Sequence, residues 1–369
     1  MNRFLFLFIF CLLSIFANAY PYRPHTKGAV NAIAHDENNL YVSSFKNGLY
    51  IIDKHSGRQT IYCTASGQLM TNDIYSISLH EEAIWLGCEK GWVTTIQNGL
   101  PAHEQFTFYS MIDPTDPAHY GIANLAFCEN GGFFLSGYYC LMNVKDGDVK
   151  DSLWVSSPIW DGSLSHLLMD SKGTLWITCE SLSKNVALSS YSPSGEFSYV
   201  LQEHADPPTL RTGAQALAID SEDGIWFTGE KQLFRYADNN FETYPVETII
   251  CDMKFRGGNQ LWMISQLGKL LCLENGVISN KDCQIETGRG YCIDIDGDDI
   301  YLGTDSGLLK YSDGEFTKIE LSGSPVGISR PETGAYGSLK APWYDLQGRP
   351  TTAERRGVYI QQGRKIVIK

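Results

Sequence analysis

Residues 291–321, YCIDIDGDDIYLGTDSGLLKYSDGEFTKIEL, read as four short strands joined by three tight turns. Apolar side chains alternate along Ile293, Ile295, Ile300 and Leu302, the period of two expected of half-buried strands. Gly297, Gly307 and Gly314 fall where hairpins need residues tolerant of positive φ. Tyr301 opens the second strand. The same phrase returns as AQALAIDSEDGIWFTGEKQLFRYADNNFETY (214–244), LSHLLMDSKGTLWITC (164–179) and DIYSISLHEEAIWLGCEKGWVTTIQNG (73–99). Three weaker copies keep the frame: NAIAHDENNLYVSSFKNGLYIID (31–53), IANLAFCENGGFFLSGYYCLMNV (122–144) and CDMKFRGGNQLWMISQLGKLLCL (251–273).

The aromatic that opens the second strand can be followed through all seven copies as Tyr41, Trp85, Phe134, Trp176, Trp226, Trp262 and Tyr301, about 43 residues apart on average. Four-stranded repeats of roughly 40–45 residues are the blades of a propeller. A single blade cannot bury both faces, but neighbours stacked around an axis cover them, with the large aromatic packed between blades. The expected fold is therefore all-β, a seven-bladed β-propeller of four-stranded blades, plus a short C-terminal β tail. How the ring closes is left open between residues 20–30 and 322–342.

The phrases DSEDGIWFTG, DSKGTLWITC and DGDDIYLGTDSGLLKYSDGEF resemble the two-component regulator propeller repeat. Leu69-Met70-Thr71-Asn72-Asp73-Ile74 is similar to its lead-in. The resemblance covers about residues 29–321 and implies a relative of the periplasmic ligand sensors of hybrid histidine kinases, which often sense glycans. The sequence departs from them in having no second propeller, no membrane span and no kinase motif, so the resemblance carries over a binding role and not direct signalling.

Outside the repeats, residues 1–19 read as a signal peptide: Arg3, an apolar run over 4–16, then Ala17-Asn18-Ala19 as a small-x-small cleavage site. That run is too short to span a bilayer. The domains expected are thus 1–19 signal, 20–321 propeller, 322–342 linker and 343–369 tail. The tail, WYDLQGRPTTAERRGVYIQQGRKIVIK, resembles type IX secretion sorting segments of exported Bacteroidetes proteins, which implies release or surface attachment; a strand pair that merely packs on the ring is the alternative. Of the net charge of −13, the tail region 340–369 carries +5 and the signal +1, which leaves residues 20–339 near −19. So acidic a body repels phosphate backbones, and nucleic acid is an unsuitable partner. The ten cysteines include no C-x-x-C pair, and several sit within apolar strands as inert core residues; an exported chain can also form a bridge or two.

Propeller ligands bind where loops crowd the mouth of the channel. The residues preceding each innermost strand are Asn31, Asn72 with Asp73, His119 with Tyr120, Trp160 with Asp161, Arg211 with Gln215, Glu247, and Arg289 with Tyr291. Aromatic faces among them suit stacking on sugar rings, and Arg suits a bidentate grip on a carboxylate. They are otherwise ordinary solvated loop residues. The acidic run Asp294, Asp296, Asp298, Asp299 has its glycine in the wrong place for a calcium loop and reads as a repeat-encoded hairpin, like the turns at Asp36, Asp170 and Asp220. No H-E-x-x-H or G-x-S-x-G occurs. The sequence thus points to an exported, monomeric, non-catalytic module without a cofactor, binding a glycan, peptide or protein. The alternative is a polysaccharide lyase or glycoside hydrolase at the same mouth, with His119, Tyr120, Glu247, Arg211 and Arg289 for chemistry.

Overall fold

A computed structural model describes residues 24, 26–109, 117–118, 121–129, 131–137, 140–145, 148–154, 164–179, 188–199, 216–229, 231–283, 285–325, 343–344, 350–351, 357–361 and 364–368. Seven antiparallel sheets of four consecutive strands form the blades. Their innermost strands are Val30–His35, Ile74–His80, Asn124–Phe127, Leu164–Met169, Leu217–Ile219, Ile250–Arg256 and Gly290–Asp296, for blades one to seven. Each lies beside the innermost strand of the next blade, and that of blade seven lies beside that of blade one, which closes the ring.

The aromatic followed through the sequence holds one structural position throughout. Tyr41, Trp85, Phe134, Trp176, Trp226, Trp262 and Tyr301 each begin near the turn and pair with Ala34, Ser78, Ala126, Leu168, Ala218, Lys254 and Asp294 of the innermost strand. The residue opposite is Ala or Ser in four blades, which leaves room for the ring. In blades four and five the turn aspartate explains why the motif joins Asp to Trp. Asp170 accepts backbone N–H groups from Lys172 and Thr174 through Oδ1, and its Oδ2 accepts Trp176 Nε1 at 2.9 Å. Asp220 does the same for Glu222, Gly224 and Trp226, and Asp36 bonds the Tyr41 hydroxyl. One carboxylate thus closes the hairpin and fixes the aromatic.

The core is divided among the seams between blades. One apolar cluster fills each of the seven seams among the described residues, and the seam between blades seven and one joins Val30, Ile33, Leu40 and Val42 to Cys292, Tyr301 and Leu308. Glycines let the strands approach there. A Cβ on Gly303 would stand 2.4 Å from Cys292 Sγ and 2.5 Å from the Val30 carbonyl oxygen. The ring is also clasped from outside. Past blade seven, Ser324–Pro325 pairs in parallel with Thr60 and Ile61 of the outermost strand of blade one, Gln59–Tyr62. The Gln59 side chain donates to Glu320 O and accepts from Ser322 N, both at 2.8 Å.

Residues 327–369 form a second compact unit. It is a four-stranded sheet in the order Pro350–Thr351, Trp343–Tyr344, Gly357–Gln361, Arg364–Ile368, rather than only two strands. The eight cysteines that can be described are free thiols, with no bridge among them. Burial pushes the Cys88 and Cys140 thiols up to about 12, so neither is a nucleophile near neutral pH.

Candidate functional site: the central channel

The edges of the seven innermost strands surround a cavity of about 450 Å³ to which every blade contributes. Its shape follows from a repeated irregularity. In blades one, two, four, six and seven the register slips by one residue at the start of the innermost strand, at Asn31, Tyr75, Ser165, Cys251 and Tyr291. A bulge re-aims the extra side chain. Asn31, Tyr75 and Tyr291 line the cavity as a result.

Next along the strands, the aligned third position reads Ala32, Ser76, Asn124, His166, Ala216, Asp252 and Cys292. His166 of blade four and Asp252 of blade six come together there, Nε2 to Oδ1 at 3.8 Å. Blade five places only Ala216 at that level. Asp252 is 17% exposed; its Oδ1 accepts Met253 N–H and its Oδ2 accepts Ile293 N–H across the seam. Burial raises its carboxyl above the usual range, opposed by His166 and Lys254.

Farther along, Lys254 Nζ donates to Asp294, whose other oxygen bonds His35 Nδ1 at 2.7 Å. His35 Nε2 approaches Asp296 at 3.7 Å, and Asp296 is bonded by Lys54 at 2.6 Å. Cation and anion alternate across blades six, seven and one. Burial works against charge at Asp294, but the His35 hydrogen bond and Lys254 keep its carboxyl below the ordinary value. Burial likewise opposes a charged Lys254, and Asp294 and Asp252 outweigh it and raise its value. The Asp294 hydrogen bond raises His35, against burial.

The acidic run at 294–299 is thereby resolved into four separate attachments. Asp294 and Asp296 enter this chain, Asp298 pairs with Arg256, and Asp299 pairs with Lys310 at 2.6 Å. They diverge, and no cluster able to hold a metal occurs among the described residues.

The mouth residues expected from the sequence divide in two. His119, Tyr120, Trp160, Asp161, Arg211 and Gln215 lie outside the described residues. Of the others, Asn72 braces two loops, accepting Thr64 N–H at 2.8 Å and donating to Lys46 O at 3.3 Å. Asp73 takes Lys46 Nζ at 2.6 Å. Asn31 donates to Ile74 O at 2.6 Å. Tyr291 lines the cavity and donates its hydroxyl to Asp305 at 2.7 Å; the Arg289 guanidinium stands 5.9 Å from its ring centre. Glu247 is exposed. His166, Asp252 and Lys254 were not singled out from the sequence. Their signal was available once the innermost strands are aligned on the aromatic, because Asp252 and Lys254 stand where most blades have Ala, Ser or an apolar residue.

The fold and channel define a seven-bladed β-propeller with an ionisable central cavity. No protein-family profile matches the sequence, and no curated protein matches it. Solved structures share the fold. Virginiamycin B lyase from Staphylococcus aureus superposes with a TM-score of 0.62 at 16% identity, over 80% of this chain and 99% of the lyase. A catalytically inactive histidine-to-alanine form of that lyase with quinupristin gives 0.63, also at 16% identity, over 80% of this chain and 97% of that one. The extracellular domain of a putative one-component system from B. thetaiotaomicron gives 0.63 at 13% identity, over 90% of this chain and 45% of that one. That of a putative hybrid two-component system from the same organism gives 0.61 at 15% identity, over 78% and 39%. This chain spans less than half of either sensor domain. The propeller expected from the two-component regulator resemblance is thus the fold found, and the sensor domains share it. No helix among the described residues is long and apolar enough to cross a membrane.

Proposed function

We propose that this chain is an exported recognition module that takes a glycan, peptide or protein end into its central channel without transforming it. The supporting observation is the 450 Å³ cavity reached by all seven innermost strands, lined by stacking and hydrogen-bonding side chains that include Tyr75, Asn124, His166 and Tyr291. Concave sites with a few fixed polar groups are where ligands bind. The mouth residues His119, Tyr120, Trp160, Asp161, Arg211, Gln215, Glu247 and Arg289 would select among entrants, and Asn72 would hold the loops in place. Residues 1–19 would direct export, 322–342 would link the ring to the tail, and 343–369 would serve sorting or anchoring. The sensor-like fold agrees with placement outside the cytoplasm.

A second reading has its own observation. The partly buried Asp252 carboxyl, which burial raises from its ordinary value and which lies 3.8 Å from His166, has the make-up of a general acid–base pair. One screen separates the two. The purified protein is offered a panel of polysaccharides and peptides, with binding, new reducing ends and unsaturated products followed in the same wells. Saturable binding without product, weakened by Trp160→Ala, Arg289→Ala or Tyr291→Ala, is expected. Product formation lost in His166→Ala would replace the binding role with the catalytic one.

A further inference from the structure

Anything entering the channel meets an uneven field. Along Lys54, Asp296, His35, Asp294 and Lys254, each charge has an opposite neighbour within 4.0 Å. The charge of Lys254 is already offset by its bond to Asp294, a carboxylate only 4% exposed, which weakens its pull on an incoming anion. Asp252 feels the charge of Lys254 but makes no ion pair within 4.0 Å with any member of this chain. Both its oxygens accept backbone N–H groups, but among the described residues no lysine or arginine nitrogen lies within 4.0 Å of them. Its nearest basic group is His166 at 3.8 Å, beyond hydrogen-bond reach and charged only when protonated. A largely desolvated carboxylate without a full counter-ion is costly, and an entering cation relieves that cost. An entering anion adds to it.

The donors and acceptors agree with the charge. A carboxylate only accepts, and a neutral imidazole has one accepting nitrogen. An ammonium group offers three N–H donors and no acceptor. Ala216, between His166 and Asp252 at the same level, has no side chain long enough to compete for the position. We infer that, if the channel is the ligand site, it selects ligands bearing a protonated amine, seated between Asp252 Oδ1 and His166 Nε2. The amine can belong to an amino sugar or to an acyclic amine; the recognised chemistry is the same. The gripped carboxylate expected from the sequence is excluded from this level of the channel, although Arg289 leaves it open at the mouth.

Three sugars that share the pyranose ring but carry a positive, a neutral and a negative group provide the test. Isothermal titration of the full chain with D-glucosamine, N-acetyl-D-glucosamine and D-glucuronate should rank them in that order, the amine at least about tenfold tighter than its acetylated form, as expected for a charge-assisted contact. Titration with 1,4-diaminobutane separates the sources: binding of it without glucosamine supports an acyclic amine, and the reverse supports an amino sugar. Asp252→Asn should abolish the preference and Asp252→Glu should restore it. If Asp252→Asn fails to fold, the ranking with the unaltered protein decides. Equal or tighter binding of N-acetylglucosamine or glucuronate, displaced from the channel by Tyr291→Ala, would overturn the amine preference and leave the channel reading intact. Failure of both amines to bind at millimolar concentration would also overturn it. The channel reading falls only if no polysaccharide or peptide of the wider screen is sensitive to Tyr291→Ala.

Discussion

Blade two provides a natural control for what the turn aspartate contributes. In blades four and five the indole N–H donates to Asp170 or Asp220 at 2.9 Å. Blade two has His80 at the aligned position, stacked on Phe127 with ring centres 4.2 Å apart, and Trp85 Nε1 has no hydrogen-bond partner among the described residues. Replacing Trp by Phe removes similar volume in both blades but different hydrogen bonding. Trp226→Phe deletes a bond to an ionised carboxylate, about 1.5–3 kcal/mol, while Trp85→Phe deletes an unsatisfied donor whose burial already costs about 1–3 kcal/mol. Trp226→Phe should therefore be more destabilising than Trp85→Phe by about 2.5–6 kcal/mol. Urea unfolding of each variant, read by circular dichroism, measures the difference. Asp220→Ala also removes the Glu222 and Gly224 turn bonds and the Arg235 Nε contact at 2.8 Å, and should cost more than Trp226→Phe. If the two Trp→Phe variants agree within about 0.5 kcal/mol, the scale of an ordinary surface change, the bond between motif aspartate and motif aromatic does not stabilise the blade and the account of the D-x-x-x-x-x-W spacing fails.

Three other outcomes can be checked separately. Because the folded state raises His35, its contribution is full below the unfolded value near 6.5 and is lost as pH rises through the folded one; His35→Gln should remove that loss from a stability–pH profile taken above 6.5. Gly303→Ala should force the seam between blades seven and one apart and cost about 1–3 kcal/mol in the same unfolding assay, whereas Gly314→Ala, whose added Cβ meets nothing within 4 Å, should be limited to the strain of its positive φ. Gln59→Ala removes both contacts to the chain end after blade seven; the amide of Ser322 should then exchange with deuterium faster while those of blade five keep their rates.

The ring was legible in the sequence because its cause is repeated. A turn aspartate, a glycine and an aromatic at fixed spacing recur often enough that even blade three, which has Cys128 and Phe134 at the aspartate and aromatic positions, is carried by its neighbours. The clasp was less legible because Gln59 and Ser322 meet over a separation of 263 residues and neither belongs to the repeat. The channel was least legible, for the reason that the repeat was clear. Periodicity reports what the blades share, while a site in a propeller consists of what one blade has and the others lack. His166, Asp252 and Lys254 occupy positions given over to Ala32, Ala216, Ala34 and Ala218 elsewhere, and each alone reads as one polar residue in an apolar strand. Only the closed ring sets blade four's histidine opposite blade six's aspartate across the small side chain of blade five. In this architecture, departures from the repeat at the third and fifth positions of the innermost strand are therefore the residues to mutate first. The loop positions before that strand come second, since Asn72 and Asp73 show how readily such side chains are engaged in holding the loops together.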